Sequence, residues 1–292
     1  MADATKKHRS FGAFVRIIWP PLPVWRRLDL AVTAVAIYTT VVVLIDLAID
    51  IHLPDWSGAS TFLNALVLGI LLAFRNKEAY DRWWEGRKLW GQLINDSRSL
   101  SAKLAALAQL SAVARGEVGR LIPGFAVALK NRLRDESDLR RIPGFETETA
   151  EPPHVPLYLF ARLTALLQRE RSAGRLSEVD LLTLDPHVRG LMDVCGACER
   201  IKSSPLPLSY RSLLKHGLII YLTTTPWLVA DHLGWWSIPV VSLFTYFLLG
   251  VELTAEDVEE PFGRDGDDLS LSTYCETIRR STEQVFASTI QA

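Results

Sequence analysis

The stretch Ser60–Trp90, STFLNALVLGILLAFRNKEAYDRWWEGRKLW, changes its chemistry abruptly half-way along. Phe62–Phe74 is almost entirely apolar, whereas the residues from Arg75 onward are charged and aromatic and form an amphipathic pattern. A helix that is apolar all round belongs in lipid or in a bundle core, and one with a polar face belongs in water. No Pro interrupts the stretch. As one helix it would span about 45 Å, more than the roughly 30 Å of a bilayer's hydrocarbon core. The sequence therefore predicts a helix that leaves a membrane and continues into water.

Three further apolar stretches have nearly the length of a membrane span. They are Leu30–Leu47, His216–Val229 and Trp235–Leu253. A spanning helix needs about 20 residues, and each stretch is near or slightly below that length. Together with the stretch from Ser60 they give four predicted membrane helices. Any one of the four, taken alone, also fits a buried core helix of a soluble protein.

The positive charges lie on one side of these four helices. The predicted links Asp50–Gly58 and Asp231–Gly234 contain no Lys or Arg. The opposite flanks are basic, with Arg26, Arg27, Arg75, Lys77, Arg82, Arg211 and Lys215. Because loops rich in Lys and Arg stay in the cytoplasm, both termini and the long central region are predicted to be cytoplasmic.

These features divide the chain into five predicted regions. Residues 1–27 are a basic, aromatic segment at the cytoplasmic membrane interface, and residues 28–94 hold the first helix pair, whose second helix extends into the cytoplasm. Residues 95–210 form a cytoplasmic helical region, in which Leu and Ala recur at helical spacing. Residues 211–255 are the second membrane helix pair, and residues 256–292 are a cytoplasmic C-terminal segment. The predicted fold class is an all-α polytopic membrane protein.

The composition excludes several classes of protein. The 292 residues are 49% hydrophobic and 22% charged, with a mean hydropathy of +0.14, which indicates that apolar and charged segments are segregated. The net charge of -1 gives no field that would attract nucleic acid. Three cysteines do not make a disulfide framework, and the basic N-terminus has no apolar region typical of a cleavable signal.

No catalytic motif is visible in the sequence, so the chain is predicted not to be an enzyme and to need no cofactor. It contains no Ser-His-Asp pattern, Gly-rich phosphate loop or HExxH motif. The pair Cys195-Gly-Ala-Cys198 has the spacing of half a zinc site or of a redox pair. No second such pair accompanies it, and residues i and i+3 of a helix are simply neighbours, so packing is the favoured interpretation and no metal is predicted.

Leu66, Ile70 and Phe74 recur at i+4 along the second predicted membrane helix and therefore form one stripe. Contact with another helix or with lipid is the simplest interpretation. The alternative is a pore lining, in which several copies of the chain stack three apolar rings around an axis. Such a constriction gates ion flow by dewetting.

Several blocks of sequence carry a resemblance to a known family. Phe74-Arg75-Asn76 is followed by Tyr80–Trp90, YDRWWEGRKLW. Further blocks are Cys195-Gly196, Pro207–Tyr210, Pro261–Gly263 and Asp267–Leu269. In their order and spacing, which cover roughly Arg27 to the C-terminus, they resemble the bestrophin family and specifically its bacterial branch.

The resemblance implies a structure and a pore. Bestrophins are ring-shaped homopentameric ion channels with four membrane helices per subunit around one axial pore. The family's hydrophobic neck, a trio at i, i+4 and i+8, falls on Leu66, Ile70 and Phe74. The family's second, cytoplasmic aperture is a ring of one aliphatic residue, which falls near Val179-Asp180-Leu181, where Leu181 is the favoured residue and Asp180 lies beside it.

The acidic loop after the fourth predicted helix departs from the family pattern. Animal bestrophins bind calcium there through an unbroken acidic run. Here Arg264 and Gly266 interrupt the run and leave Asp265, Asp267 and Asp268. A neighbouring cation and fewer ligands both weaken calcium binding, so these residues are interpreted as a reduced remnant of the calcium clasp without calcium gating.

The predicted function is a homopentameric channel for monovalent ions (Na+, K+ or Cl-). Cation conduction is slightly favoured because Asp180 and Asp185 lie near the aperture. The alternatives are a chloride channel of the same family, a membrane scaffold or sensor with a partner-binding cytoplasmic domain, and a soluble helical bundle. The expected location is the cell membrane, the inner one in a Gram-negative source, with membrane lipid and further copies of the chain as partners.

Overall fold

Eight α-helices carry most of the described residues, 23–49 and 59–288, of the computed structural model. They are α1 (Pro23–Ile49), α2 (Ala59–Leu107), α3 (Ala112–Leu133), α4 (Val155–Ser172), α5 (Glu178–Ser203), α6 (Leu208–Leu233), α7 (Ser237–Val258) and α8 (Leu271–Ser288). Two 3-10 turns, Leu139–Arg141 and Gly234–Trp236, complete the set. The predicted all-α class is confirmed, since this part of the chain contains no strand. Most of the predicted interfacial segment, residues 1–22, and the link 50–58 lie outside the described residues, as do the side chains of 59–64.

Helix α2 contains the whole stretch Ser60–Trp90 and extends beyond it to Leu107. The described residues form two compact units, and α2 passes from the first unit to the second between Asp81 and Arg82. The first unit also contains Leu206–Glu259 and Asp265–Asp267, and the second contains Arg82–Pro205, Glu260–Arg264 and the C-terminal residues from Asp268.

In the first unit α1 packs against α6 and α7, which also contact each other. The Tyr38 hydroxyl of α1 donates to the carbonyl of Thr223 at 2.9 Å and accepts from Nε1 of Trp227 at 2.7 Å. These two bonds satisfy polar groups among apolar side chains, where an unmade hydrogen bond is costly. Two helical stretches of the described residues are long and apolar enough to cross a membrane, Val24–Ile49 and Leu208–Val258, and the second contains both α6 and α7.

In the second unit α3 is the central helix, with α4, α5 and α8 packed around it. Its side chains enter a core shared with the second half of α2, from Trp90 to Leu104, and with Phe145 of the loop that follows α3. Side chains cap the starts of three helices. Ser111 accepts from the backbone of Ala114, His154 from that of Leu157, and Ser177 from that of Asp180. Each cap satisfies an amide that has no partner within its own helix.

The C-terminal end of α5 is held by a cation. The guanidinium of Arg82 donates to the carbonyls of Ile201 and Ser204. The last carbonyls of a helix lack internal partners and carry partial negative charge, so a guanidinium both bonds and neutralises them. The start and the end of α5 are thus both fixed by side chains.

The predicted tight link Asp231–Gly234 is largely helical in the structure. Helix α6 continues to Leu233, and the turn Gly234–Trp236 leads directly into α7. Gly234 has φ of 50°, a conformation that glycine adopts without the steric cost borne by other residues. The chain therefore reverses direction through the three-residue 3-10 turn that begins at Gly234, which is shorter than the predicted four-residue link.

The core of the second unit gives a stability prediction. Leu129 of α3 is fully buried, whereas Leu157 of α4 is 49% exposed. Leu129→Ala leaves a cavity and should lower the free energy of unfolding by about 2–5 kcal/mol. Leu157→Ala should change it by less than about 1 kcal/mol, because little apolar area is lost. Thermal melting of the full-length protein in detergent measures both, and equal melting temperatures for the two variants would contradict the packing.

Candidate pore-lining site

The three stripe residues of α2 are solvent-exposed in the single chain. Leu66, Ile70 and Phe74 are 46%, 48% and 58% exposed. The opposite face of the helix is buried, and it carries Leu68, Leu72, Arg75 and Ala79. Leu68 and Leu72 pack on Leu218 of α6, with side chains of α6 and α7 around them. The stripe therefore lies on the broad face of α2 that its own chain leaves uncovered, a face that also carries the exposed Val67.

The charged residues that follow the stripe are paired within the first unit. The buried guanidinium of Arg75 donates from Nη2 to Glu259 at 2.7 Å, and its Nε lies 3.9 Å from Glu252. Lys77 is exposed and forms an i,i+4 pair with Asp81 at 2.9 Å, which raises the pKa of the lysine. Both cations beyond the stripe thus have carboxylate partners.

The second predicted element of the site, Asp180, belongs to a capping box at the start of α5. One oxygen of its carboxylate accepts from the backbone of Ser177 at 2.9 Å and from the Ser177 hydroxyl at 2.7 Å. Both bonds stabilise the ionised form, so the pKa of Asp180 is lowered from its usual value. Its partners in the described part of the chain are neutral, and no cation of that part forms a salt bridge with it.

The aliphatic residues around Asp180 differ in their exposure. Leu181 is half-buried and packs against the core of the second unit. Val179 and Leu182 are 69% and 73% exposed. Leu182 was not predicted from the sequence as an exposed residue. The signal for it was its spacing from Val179, since the two are aliphatic residues at i and i+3 on a polar helix surface.

The acidic loop after α7 does not gather its three carboxylates in one unit. Asp265 and Asp267 belong to the first unit and Asp268 to the second. Each of the three already has an interaction partner within the chain. The interrupting cation, Arg264, pairs with Glu136. Its charge is therefore directed to a carboxylate outside the loop.

Outside these elements, the described residues bring three metal-ligating side chains together. Ligand atoms of His154, Cys195 and Glu199 all lie within 4.8 Å of one another. His154 and Glu199 already have partners within the protein. Nδ1 of His154 accepts from the backbone of Leu157, and its Nε2 lies 3.1 Å from Glu199, which also pairs with Arg132. A metal on Nε2 would move the ring proton to Nδ1 and break the helix cap. We therefore interpret the cluster as structural.

The paired cysteines of the sequence motif are buried thiols. Cys195 and Cys198 are both free and fully buried. Burial raises the pKa of the Cys195 thiol to about 12 and raises that of Cys198 as well. Since the thiolate is the reactive and metal-binding form, these residues act as packing groups, which agrees with the interpretation favoured from the sequence.

Known proteins identify the family to which these features belong. Residues 6–284 match the Bacterial/Fungal Bestrophin protein family. The chain is a member of the bestrophin family. Its relatives include voltage-dependent anion channel-forming proteins of Nostoc sp. (34% identity over 234 residues, 76% of each chain) and Ralstonia nicotianae (33% over 243 residues, 79% of each).

A solved structure supports the same conclusion. A bacterial bestrophin homolog from Klebsiella pneumoniae superposes with a TM-score of 0.80 at 27% identity, covering 90% of this chain and 98% of that one. Bestrophins are membrane ion channels and not enzymes. The predicted family is confirmed by these matches, and the predicted pore residues remain expectations.

The inertness of the buried cysteines can be tested directly. In the full-length protein, Cys195 and Cys198 should resist a maleimide reagent at neutral pH and react completely after denaturation, because their high pKa and burial suppress the thiolate. Peptide mapping by mass spectrometry measures the labelling. Rapid modification of either residue in the folded protein would show a redox-competent or metal-competent pair instead.

Proposed function

We propose that this bestrophin conducts monovalent ions through one axial pore formed by five copies of the chain. The observation that carries the proposal is the uncovered stripe of Leu66, Ile70 and Phe74, which lies opposite the buried face of α2. Because a single subunit with four membrane helices does not enclose a pore, the proposed channel is a ring of identical subunits. Point-group symmetry of this kind is the rule among homo-oligomers.

The stripe suits a neck because it is apolar over three successive levels of the helix. Residues at i, i+4 and i+8 are about 6 Å apart along the axis, so five copies would stack three rings. A narrow apolar ring drives water out, and an ion then meets a barrier because its hydration shell is not replaced. The competing occupants of this face are lipid and a neighbouring helix.

The start of α5 is the proposed cytoplasmic aperture. Leu181 would supply the aliphatic ring and Asp180 a ring of negative charge. Support comes from the capping box, which fixes the first turn of α5 and so holds both side chains in place. The exposed Leu182 is the competing candidate for the aliphatic ring.

For ion sign we favour cations slightly over chloride, because the charge of Asp180 has only neutral partners among the residues that the structure describes. In a confined space a ring of like charges repels co-ions and attracts counter-ions. The names of the Nostoc and Ralstonia relatives, which describe them as anion channel-forming, favour the opposite sign. A chloride channel is therefore the alternative within the same family.

The proposed topology has four membrane helices, in α1, the first part of α2, α6 and α7. Both termini and the second unit would lie in the cytoplasm, a side that the Lys and Arg distribution favours. In a Gram-negative source the protein would reside in the inner membrane. The proposed partners are membrane lipid and four further copies of the chain.

Assembly and conduction are tested with the purified full-length protein. Mass measurement in detergent should give five chains per particle, and the protein in liposomes should carry current. A monodisperse monomer that still conducts would contradict the ring. A pentamer without conductance would favour the alternative class, a membrane scaffold or sensor.

The neck gives the next prediction. Replacing Leu66, Ile70 and Phe74 together by Ala removes bulk from each ring, so conductance or open probability in bilayer recordings should rise. The matched control is Leu44→Ala with Leu47→Ala, two exposed apolar residues of α1. A triple variant that assembles and conducts like the parent would leave the stripe as a packing or lipid-facing surface.

Ion sign is measured as a reversal potential in a KCl gradient. Asp180→Asn should reduce cation preference, whereas Glu178→Gln should change it little, since Glu178 already pairs with Arg171. Because the pKa of Asp180 is lowered, its carboxylate stays charged below the usual range, and the preference should hold from about pH 7.5 to pH 5. A parent potential near the chloride equilibrium value refutes the cation assignment. Cation preference that survives Asp180→Asn refutes the residue assignment.

A further inference from the structure

The position of Arg75 on α2 is unusual for a charged residue. It lies on the face of the helix that also carries Leu68, Leu72 and Ala79, and its side chain is only 1% exposed. At about 100° per residue, this face is centred roughly 170° from the centre of the Leu66, Ile70 and Phe74 stripe. The residue that directly follows the stripe is thus a buried cation on the opposite side of the helix.

The partners of Arg75 come from the end of α7 and the residue after it. Glu259, itself 6% exposed, accepts from Nη2 of Arg75 with one oxygen and from the backbone amide of Leu206 with the other, at 2.7 and 3.1 Å. The carboxylate therefore joins α2 to the segment that leads into α6. A single side chain connects three parts of the first unit.

Glu252 stands near the same guanidinium but makes a weaker contact. Its Oε2 is 3.9 Å from Nε of Arg75, and neither this oxygen nor Nε and Nη1 of Arg75 has a hydrogen-bond partner among the described residues. Glu252 thus contributes attraction without fixed geometry. Glu259 supplies the directional bond.

The apolar contacts of this part of α2 do not define its rotation as sharply. Leu68 and Leu72 meet Leu218 and other apolar side chains of α6 and α7. Between helices in lipid, one apolar side chain replaces another at little cost, because the lipid tails are as apolar as leucine. A permanently charged guanidinium that must keep a buried carboxylate restricts the helix to rotations in which Arg75 still reaches Glu259.

We propose that the buried Arg75–Glu259 pair is a positioning device that fixes the rotation of α2 about its axis and so determines which side chains form the uncovered stripe. The inference rests on the proposed function only where it calls that stripe a neck. Arg75 and Glu259 act through the helix and do not themselves line the pore.

The test reads helix rotation by disulfide formation between α2 and α6. A Cβ on Gly217 would lie 3.8 Å from Cδ1 of Leu68, whereas nothing lies within 4 Å of a Cβ on Gly69. The side chain of Leu68 is thus directed at Gly217, and one at position 69 would be directed elsewhere, so in the full-length protein Leu68→Cys with Gly217→Cys should cross-link faster than Gly69→Cys with Gly217→Cys. The native cysteines are buried in the second unit and serve as an unchanged background.

Removal of the pair should then change this ratio. Glu259→Gln leaves a buried cation without its partner. The ratio of the cross-linking rate through position 68 to the rate through position 69 should then fall about tenfold or more, and the melting temperature should also fall. Glu252→Gln is the matched control and should have a smaller effect, since Glu252 makes no directional bond. The double variant Arg75→Gln with Glu259→Gln removes both charges and should regain the melting temperature while the ratio stays low.

The outcomes separate positioning from mere stability. A double variant that regains both melting temperature and the parent ratio would mean that the pair only neutralises buried charge, and the inference would be overturned. It would also be overturned if the parent cross-linked equally well through positions 68 and 69. If the cross-linking ratios are as expected but the protein carries no current, the positioning role is upheld and the channel proposal is refuted instead.

Discussion

The buried charge of Arg75 is the constraint on which the first unit depends. A guanidinium keeps its proton under all ordinary conditions, so a protein that buries one has to bring a carboxylate to it. Here Glu259 meets that requirement and also binds the backbone of Leu206. The point where α2 changes from apolar to charged sequence is therefore fixed to the end of α7 and the approach to α6. The uncovered apolar face of α2 follows from this arrangement, since the opposite face is the buried one.

The second unit achieves order by a different means, through the ends of its helices. Ser111, His154 and Ser177 cap the starts of α3, α4 and α5, and Arg82 holds the end of α5. An ion pair between a buried carboxylate and a partly exposed guanidinium adds to this. Glu170 is 1% exposed and receives two hydrogen bonds from Arg175, which lower the pKa of its carboxyl group. Asp180, in the first turn of α5, is held separately by its capping box with Ser177.

The sequence contained most of the fold because its helices follow simple patterns. Apolar runs and helical spacing predicted all-α structure, and the change at Arg75 predicted the long α2. The burial of Arg75 could not be predicted from the sequence. The partner of Arg75, Glu259, is 184 residues away, and a lone Arg after an apolar run resembles an interfacial cation. Nor did the sequence distinguish Leu181 from Leu182, since their different exposure depends on packing in the core of the second unit. Local periodicity predicts elements, whereas long-range charge pairing and exposure require the folded chain.

The paired charges place the proposed barrier to ions and the proposed selection of their sign at different residues of the chain. The first two cations after the stripe are compensated within their own subunit, Arg75 by Glu259 and Lys77 by Asp81. The proposed neck is apolar, and apolar rings discriminate little between anions and cations. Among the acidic residues in the first turn of α5, Glu178 is paired with Arg171, while Asp180, within residues 23–49 and 59–288, bonds only to neutral groups of Ser177. An uncompensated charge that is repeated around an axis acts on every passing ion, so Asp180 is the residue at which this chain would impose a sign on a pore whose neck imposes none.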